Sequence, residues 1–391
     1  MQQRLSLVLA SLVLAACAEP TSTPLTVVPD QPASFAAGAS DVIPGRFIVT
    51  LRNGANPAAV ANEHGVKPDF VYSTVLNGFA GSMADAARDG LLRDARVSRV
   101  EQDGIAYASI TQSGATWGID RIDQRSLPLT GTYSYTASGA GVTAYIIDTG
   151  IRFDHSEFGG RASTGYDAVT AGGTAADCNG HGTHVAGTVG GSTYGVAKSV
   201  LLVAVRVLDC GGSGSWSGVI AGMDWVAANH VGPSVANMSL GGGSNTSVDD
   251  AVRRMIASGV ATAVAAGNGN FVGIAQDACR SSPARVAEAM TIGATDKTDK
   301  KASWSNYGNC VDWFAPGVGI TSSWYTSATA TNTISGTSMA TPHTTGAAAL
   351  YLSVNPTATP QQVRDALYAN TTKSIVTSSK TANNHLLFVN Y

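Results

Sequence analysis

Val142 to Ile147 (VTAYII) is an unbroken apolar run that stops at Asp148. A half-solvated strand or an amphipathic helix would interrupt such a run with polar residues, whereas a strand covered on both faces does not. Leu201 to Leu208 (LLVAVRVL), Val235 to Leu240 and Val260 to Ala266 read the same way. Helical patterns separate them at Val219 to His230, Val248 to Ser258 and Ser338 to Leu352. Strands alternating with helices predict an α/β fold with a doubly wound, mostly parallel sheet. Ligand sites in such sheets lie at the carboxyl ends of the strands, and Asp148 falls at one.

Composition narrows the function classes. Of the 391 residues 44% are hydrophobic and 13% charged, which excludes a disordered chain. The 44 glycines suit a fold with many tight turns better than a helical bundle. With 24 Lys and Arg against 27 acids, a net of −3, no basic surface argues for nucleic acid. No stretch of 18 apolar residues argues for a membrane span.

The head of the chain reads as an export signal over residues 1–18, with Arg4 before the apolar run Leu5 to Ala16. Two readings of its end stand side by side. Ala16-Cys17-Ala18 has the small-x-small form of ordinary secretory cleavage, and Leu14-Ala15-Ala16-Cys17 resembles a bacterial lipoprotein signal that lipidates Cys17. Export to an oxidising compartment makes the other four cysteines, Cys178, Cys210, Cys279 and Cys310, read as two disulfides. Three pairings are open to four cysteines.

Residues 19–40 are Pro-, Ser-, Thr- and Ala-rich without periodicity, hence a linker. Residues 41–109 form a small unit: strand Arg46 to Leu51, helix Pro57 to His64, strand Val75 to Ala80, helix Ala84 to Arg93, and Val97 to Glu101 leading into a last strand. That order predicts a ferredoxin-like α+β plan. Residues 110–391 hold the large sheet.

Three short motifs stand far apart: Asp148-Thr149-Gly150, Gly180-His181-Gly182-Thr183-His184 and Gly336-Thr337-Ser338-Met339-Ala340. An aspartic protease would need a second carboxylate motif to share a proton, and none is present. His181 and His184 lack the intervening Glu of a metalloprotease helix. In the order Asp, His, Ser the three match subtilisin. Other blocks agree: Trp117-Gly118-Ile119-Asp120-Arg121-Ile122-Asp123-Gln124, Ser239-Leu240-Gly241-Gly242, Ala265-Ala266-Gly267-Asn268, Ser305-Asn306-Tyr307-Gly308 and Thr341-Pro342-His343. On these residues the chain resembles a subtilisin-like serine protease of the proteinase K branch, nearest the aqualysin-type enzymes. Thr344-Thr345 in place of the usual Val-Ala, and Gly269 after Asn268, depart from that pattern.

The resemblance implies a serine endopeptidase. Ser338 would be the nucleophile, His181 its base and Asp148 the group that orients His181, with the Asn268 amide on the oxyanion. It implies the disulfides Cys178–Cys210 and Cys279–Cys310. Backbone edges at Ser213-Gly214 and Leu240-Gly241 would add a peptide strand. Ala265, Ala266 and Gly267 would wall a pocket for large apolar or aromatic side chains, and Trp216 would lid a more distant one. His184 and His343 would only pack. Residues 41–109, with Leu76-Asn77-Gly78-Phe79-Ala80 and Val100-Glu101-Gln102-Asp103, resemble the family's inhibitory propeptide and folding aid, so a self-processed zymogen follows. No cofactor is implied for catalysis. Structural calcium is implied at Asp312 with the carbonyls of Ala287 and Ala289, and at Asp120, Asp123 and Gln124. The expected partners are protein or peptide substrates and the chain's own propeptide, with a monomeric, extracellular mature enzyme. A catalytically dead binding lipoprotein is the alternative from another class, and the intact triad argues against it.

Overall fold

The computed structural model describes residues 42–104, 110–270 and 272–391. The export signal, the linker and the junction at 105–109 lie outside them. The chain divides into two compact units, Met1–Ala106 and Tyr107–Tyr391.

The described part of the first unit runs β1 (Val42–Leu51), α1 (Pro57–Glu63), β2 (Phe70–Tyr72), β3 (Gly78–Ser82), α2 (Asp85–Arg93) and β4 (Val97–Gly104). Its antiparallel sheet has the order β2-β3-β1-β4, a βαββαβ arrangement around Val49, Leu51, Val60, Phe79 and Leu91. Asn56 caps α1 by accepting from the Ala59 N–H at 3.0 Å, just ahead of Pro57 in the first turn.

The second unit begins with β5 (Ile110–Ser113), α3 (Trp117–Ile122) and β6 (Thr132–Tyr135). Then come β7 (Thr143–Asp148), β8 (Ala162–Asp167), α4 (His181–Gly190), β9 (Leu201–Arg206), α5 (Trp216–Asn229) and β10 (Ser234–Met238). They are followed by β11 (Gly242–Gly243), α6 (Thr246–Ala257), β12 (Val260–Ala265), β13 (Ser281–Ser282) and β14 (Met290–Thr295). The last elements are β15 (Trp313–Pro316), β16 (Ile320–Ser323), β17 (Thr331–Ile334), α7 (Thr337–Val354) and α8 (Pro360–Asn370).

Seven strands make one sheet in the order β15-β14-β12-β10-β7-β9-β8, and every neighbouring pair in it is parallel. The unbroken apolar run at β7 has its physical cause here. Ala144 and Ile146 join one core with Val185 and Val189 of α4 and Ala347 and Leu350 of α7, while Tyr145 and Ile147 join the other with Met223 of α5 and Val252 of α6. The chain leaves β7 toward β8 and leaves β10 toward β12, in opposite directions across the sheet, so the loops after these two neighbouring strands diverge and leave a crevice at their carboxyl ends.

Both implied disulfides are present, Cys178–Cys210 and Cys279–Cys310. Among the described residues no helix is long and apolar enough to cross a membrane.

Candidate active site

Asp148 ends β7 and is fully buried. Its carboxylate accepts the Thr149 N–H at 2.7 Å and faces His181 Nδ1 at 2.8 and 3.0 Å. That bond fixes the tautomer, placing the proton on Nδ1 and leaving Nε2 as the acceptor. His181 opens α4, and its side chain keeps 26% of its surface exposed. Burial alone would lower the imidazole's pKa, but the charge and hydrogen bond of Asp148, then the charge of Asp177, raise it above the usual value.

Ser338 is the second residue of α7, and its N–H finds no acceptor among the described residues. The Ser338 carbonyl would ordinarily bond the N–H of residue 342, which is Pro342 and has none. The Ser239 hydroxyl donates to it instead, at 2.8 Å. In return the Ser338 hydroxyl donates to the Ser239 carbonyl at 3.1 Å. No hydrogen bond joins it to His181.

Asn268 follows the carboxyl end of β12. Its side-chain oxygen accepts from the Thr337 N–H and hydroxyl, both at 2.8 Å. This assigns the amide's orientation, because two donors face that oxygen and the NH₂ must be the other end. A Cβ built on Gly336 would lie 3.4 Å from that nitrogen, so the NH₂ is at the threshold of α7.

A cleft of about 630 Å³ opens beside His181. Ser213, Gly214, Trp216, Leu240 and Gly241 all line it. Ser213 differs in one respect from the expectation of a free edge: its N–H and carbonyl are both engaged with Asp209. Of the expected edge residues, Gly214, Leu240 and Gly241 would be the ones left for an incoming backbone. A Cβ on Gly214 would meet the Val207 carbonyl at 2.2 Å, so no other residue fits there. Trp216 packs on Gly242, whose notional Cβ would come within 2.8 Å of the indole. Ala265, Ala266 and Gly267 do not line this cleft; they run from β12 into Asn268, with the Gly267 N–H donating to Thr337. Thr149, Asn179 and Ser239 line it as well, although the sequence assigned a role to none of them.

His184 and His343 are packing residues. His184 Nε2 meets the Ile320 carbonyl at 3.0 Å and His343 Nδ1 the Met339 carbonyl at 2.9 Å. Burial pushes both down to about 4, so they stay neutral. Thr344 and Thr345 are buried but satisfied, by the Trp313 indole N–H and by Asn237. Gly269 is required by φ +82° and by the Ile274 carbonyl 2.6 Å from a notional Cβ.

Among the described residues no group of three or more His, Cys, Asp or Glu could hold a metal. The Asp312 carboxylate is already engaged, by the Arg364 guanidinium and by the Thr291 N–H. A guanidinium on the carboxylate neutralises the charge a divalent ion needs, so the set with Ala287 and Ala289 does not fit calcium. The other set keeps one open acceptor: Asp123 Oδ1 is buried without a partner, whereas Asp120 accepts from the Thr130 N–H and hydroxyl and the Gly131 N–H, and the Gln124 NH₂ donates to the carbonyls of Ser126 and Pro128. Burial, together with the charge of Asp120, pushes Asp123 up to about 6.

Fold and site together define a class, the serine-type endopeptidases built on a subtilisin-like sheet. The Subtilase family model matches residues 139–388. An extracellular serine proteinase of Thermus sp. (strain Rt41A) is 53% identical, over 95% of this chain and 94% of its own length. Alkaline serine exoprotease A of Vibrio alginolyticus is 51% identical, over 83% of this chain and 61% of its own. The crystal structure of a cold-adapted subtilisin-like serine proteinase superposes with a TM-score of 0.69 at 54% identity, covering 71% of this chain and all of that one. The chain belongs to the subtilase family.

Proposed function

We propose that the chain is a secreted endopeptidase that cleaves unfolded proteins through an acyl-enzyme on Ser338. The observation that carries this is the Asp148–His181 pair, 2.8 Å apart, at a cleft also lined by Ser239, the hydrogen-bond partner of the helix-borne Ser338. His181 Nε2 takes the Ser338 proton as the oxygen attacks the scissile carbonyl, then returns it to the leaving amine. For this the hydroxyl turns from the Ser239 carbonyl to His181. Asp148 stabilises the imidazolium without itself taking the proton. Negative charge developing on the substrate oxygen meets the Ser338 N–H and the Asn268 NH₂.

Ala265, Ala266 and Gly267, which lie outside the cleft beside His181 and lead into Asn268, would wall a separate pocket with small, uncharged residues and so favour a large apolar residue before the scissile bond. Peptides differing only there test this. Phe should exceed Asp in kcat/KM by about 100-fold or more, since an apolar pocket leaves a carboxylate unpaired. Equal rates would contradict the pocket assignment.

The remaining assignments follow the same reading. Residues 1–18 direct export, 19–40 link, 41–109 form an inhibitory propeptide and 110–391 form a monomeric catalytic domain. A separately folding βαββαβ unit suits a folding aid, because parallel sheets of high contact order form slowly. Calcium would be held by Asp120, Asp123 and Gln124, where it would supply the missing partner of Asp123 Oδ1. Chelation should then lower Tm by roughly 5–10 °C, the size of about 2.7 kcal/mol of binding linkage in a domain this large. Asp123→Asn should remove the difference between chelated and calcium-loaded enzyme. A Tm indifferent to chelation would dismiss this site.

A further inference from the structure

The helix that carries His181 starts without a cap of its own. Gly180 occupies the N-cap at φ +110° and has no side chain to offer. Three residues earlier, Asp177 supplies what Gly180 cannot. One of its oxygens accepts the N–H groups of Asn179 and Gly180, at 2.9 and 3.0 Å, and the Thr149 hydroxyl at 2.9 Å. The other accepts the Thr183 N–H at 2.9 Å and the Thr183 hydroxyl at 2.6 Å. Five donors converge on one half-buried carboxylate.

These bonds reach both members of the acid–imidazole pair. Thr149 is the residue after Asp148, and its N–H donates to the Asp148 carboxylate. The Thr149 hydroxyl, besides donating to Asp177, accepts the Gly182 N–H at 2.9 Å. The end of β7 and the first turn of α4 are thus tied through a single side chain. The two backbones can close this far only because Gly182 lacks a side chain; a Cβ there would lie 2.1 Å from the Gly150 carbonyl. A misplacement of about 1 Å in a catalytic group costs roughly 100-fold in rate.

We propose that Asp177 is a positioning residue of the active site, a second carboxylate that locks the start of α4 onto the end of β7 and so fixes His181 against Asp148. The inference rests on the reading of His181 as the general base. Position is half of the role; the other half is charge. The charged and titratable groups facing His181 are Asp148 from β7, Asp177 from the connecting loop and the neutral His184 within α4. Arg152, in the loop after β7, is occupied by Asp154 and the Tyr325 carbonyl. Asp177 therefore acts with Asp148 in favouring the imidazolium.

The test is the pH dependence of peptide hydrolysis by mature enzyme prepared from the full chain. In the wild type the acid limb of kcat/KM should sit above the ordinary imidazole value of 6.5. Asp177→Asn should lower kcat by about 10- to 100-fold with KM nearly unchanged. Its acid limb should move to lower pH by about half a unit or more, because one negative charge near the imidazole is lost. Thr149→Val removes both hydrogen bonds of that hydroxyl, to Asp177 and from Gly182, while keeping the charge, so it should lower kcat and leave the limb in place. It also stands in if Asp177→Asn does not fold. A wild-type kcat and acid limb in both variants, even with a reduced Tm, would show that Asp177 only caps a helix and would overturn the proposal. A His181→Ala enzyme as active as wild type would instead defeat the underlying assignment of the base.

Discussion

Ser338→Ala should fold, keep its peptide affinity and lose about 10⁶-fold in kcat, the loss known for the corresponding change in subtilisin. The fold should survive because, among the described residues, the only hydrogen bond Ser338 makes through its side chain is to the Ser239 carbonyl, at the rim of the cleft. The reciprocal bond, from Ser239 to the Ser338 carbonyl, is untouched by the substitution. The same variant, unable to cut itself, should accumulate as a full-length precursor. Its location then discriminates the two readings of the export signal: a membrane-bound precursor means lipidated Cys17, and a soluble one beginning at Glu19 means ordinary cleavage. Caseinolytic assay and intact mass measure both effects. Casein hydrolysis at the wild-type rate would remove Ser338 from the mechanism.

The second large effect is at Asn268. Replacing it by Ala should lower kcat by about 100- to 1000-fold, the range found for subtilisin's oxyanion amide, with KM changed little. The asymmetry follows from timing. On the proposed reading the Asn268 NH₂ would meet an oxygen that bears charge only in the transition state, so the ground-state complex would lose little. Its orientation is imposed by Thr337 on the opposite atom, so the donor costs no reorganisation when charge develops. A variant that raised KM at constant kcat would show that Asn268 only binds substrate.

The strands legible in the sequence are those buried on both faces. β7, β9, β10 and β12 were readable because nothing polar had to be accommodated along most of their length. β8 was not, since as an edge strand it keeps one side solvated and reads ASTGYD. β14 was hidden for a different reason. It is fully buried, yet Thr291 and Gly293 break its apolar run, and Thr291 is tolerated because its hydroxyl reaches the Ala284 carbonyl at 2.9 Å. In the site, the acid, imidazole, hydroxyl and amide were legible as motifs. Their supports were not, because Thr337–Asn268 and Ser239–Ser338 pair residues 69 and 99 positions apart. Asp177 lies four residues before His181 and carries no motif of its own; only the convergence of its donors marks it. The calcium expectation at Asp312 illustrates the converse. The carboxylate is where the resemblance implied, but Arg364, from α8, has taken it.

The central claim is that Ser338 is a nucleophile activated by His181, and covalent labelling tests it most directly. Phenylmethanesulfonyl fluoride is attacked by an activated serine oxygen, which displaces fluoride and leaves a sulfonyl ester. Peptide mapping of the mature enzyme after treatment should place one adduct on Ser338, formed in step with loss of activity. Labelling should slow as pH falls and His181 becomes protonated. Full activity in an enzyme carrying the Ser338 adduct, or inactivation with the adduct elsewhere and Ser338 unmodified, would contradict the account.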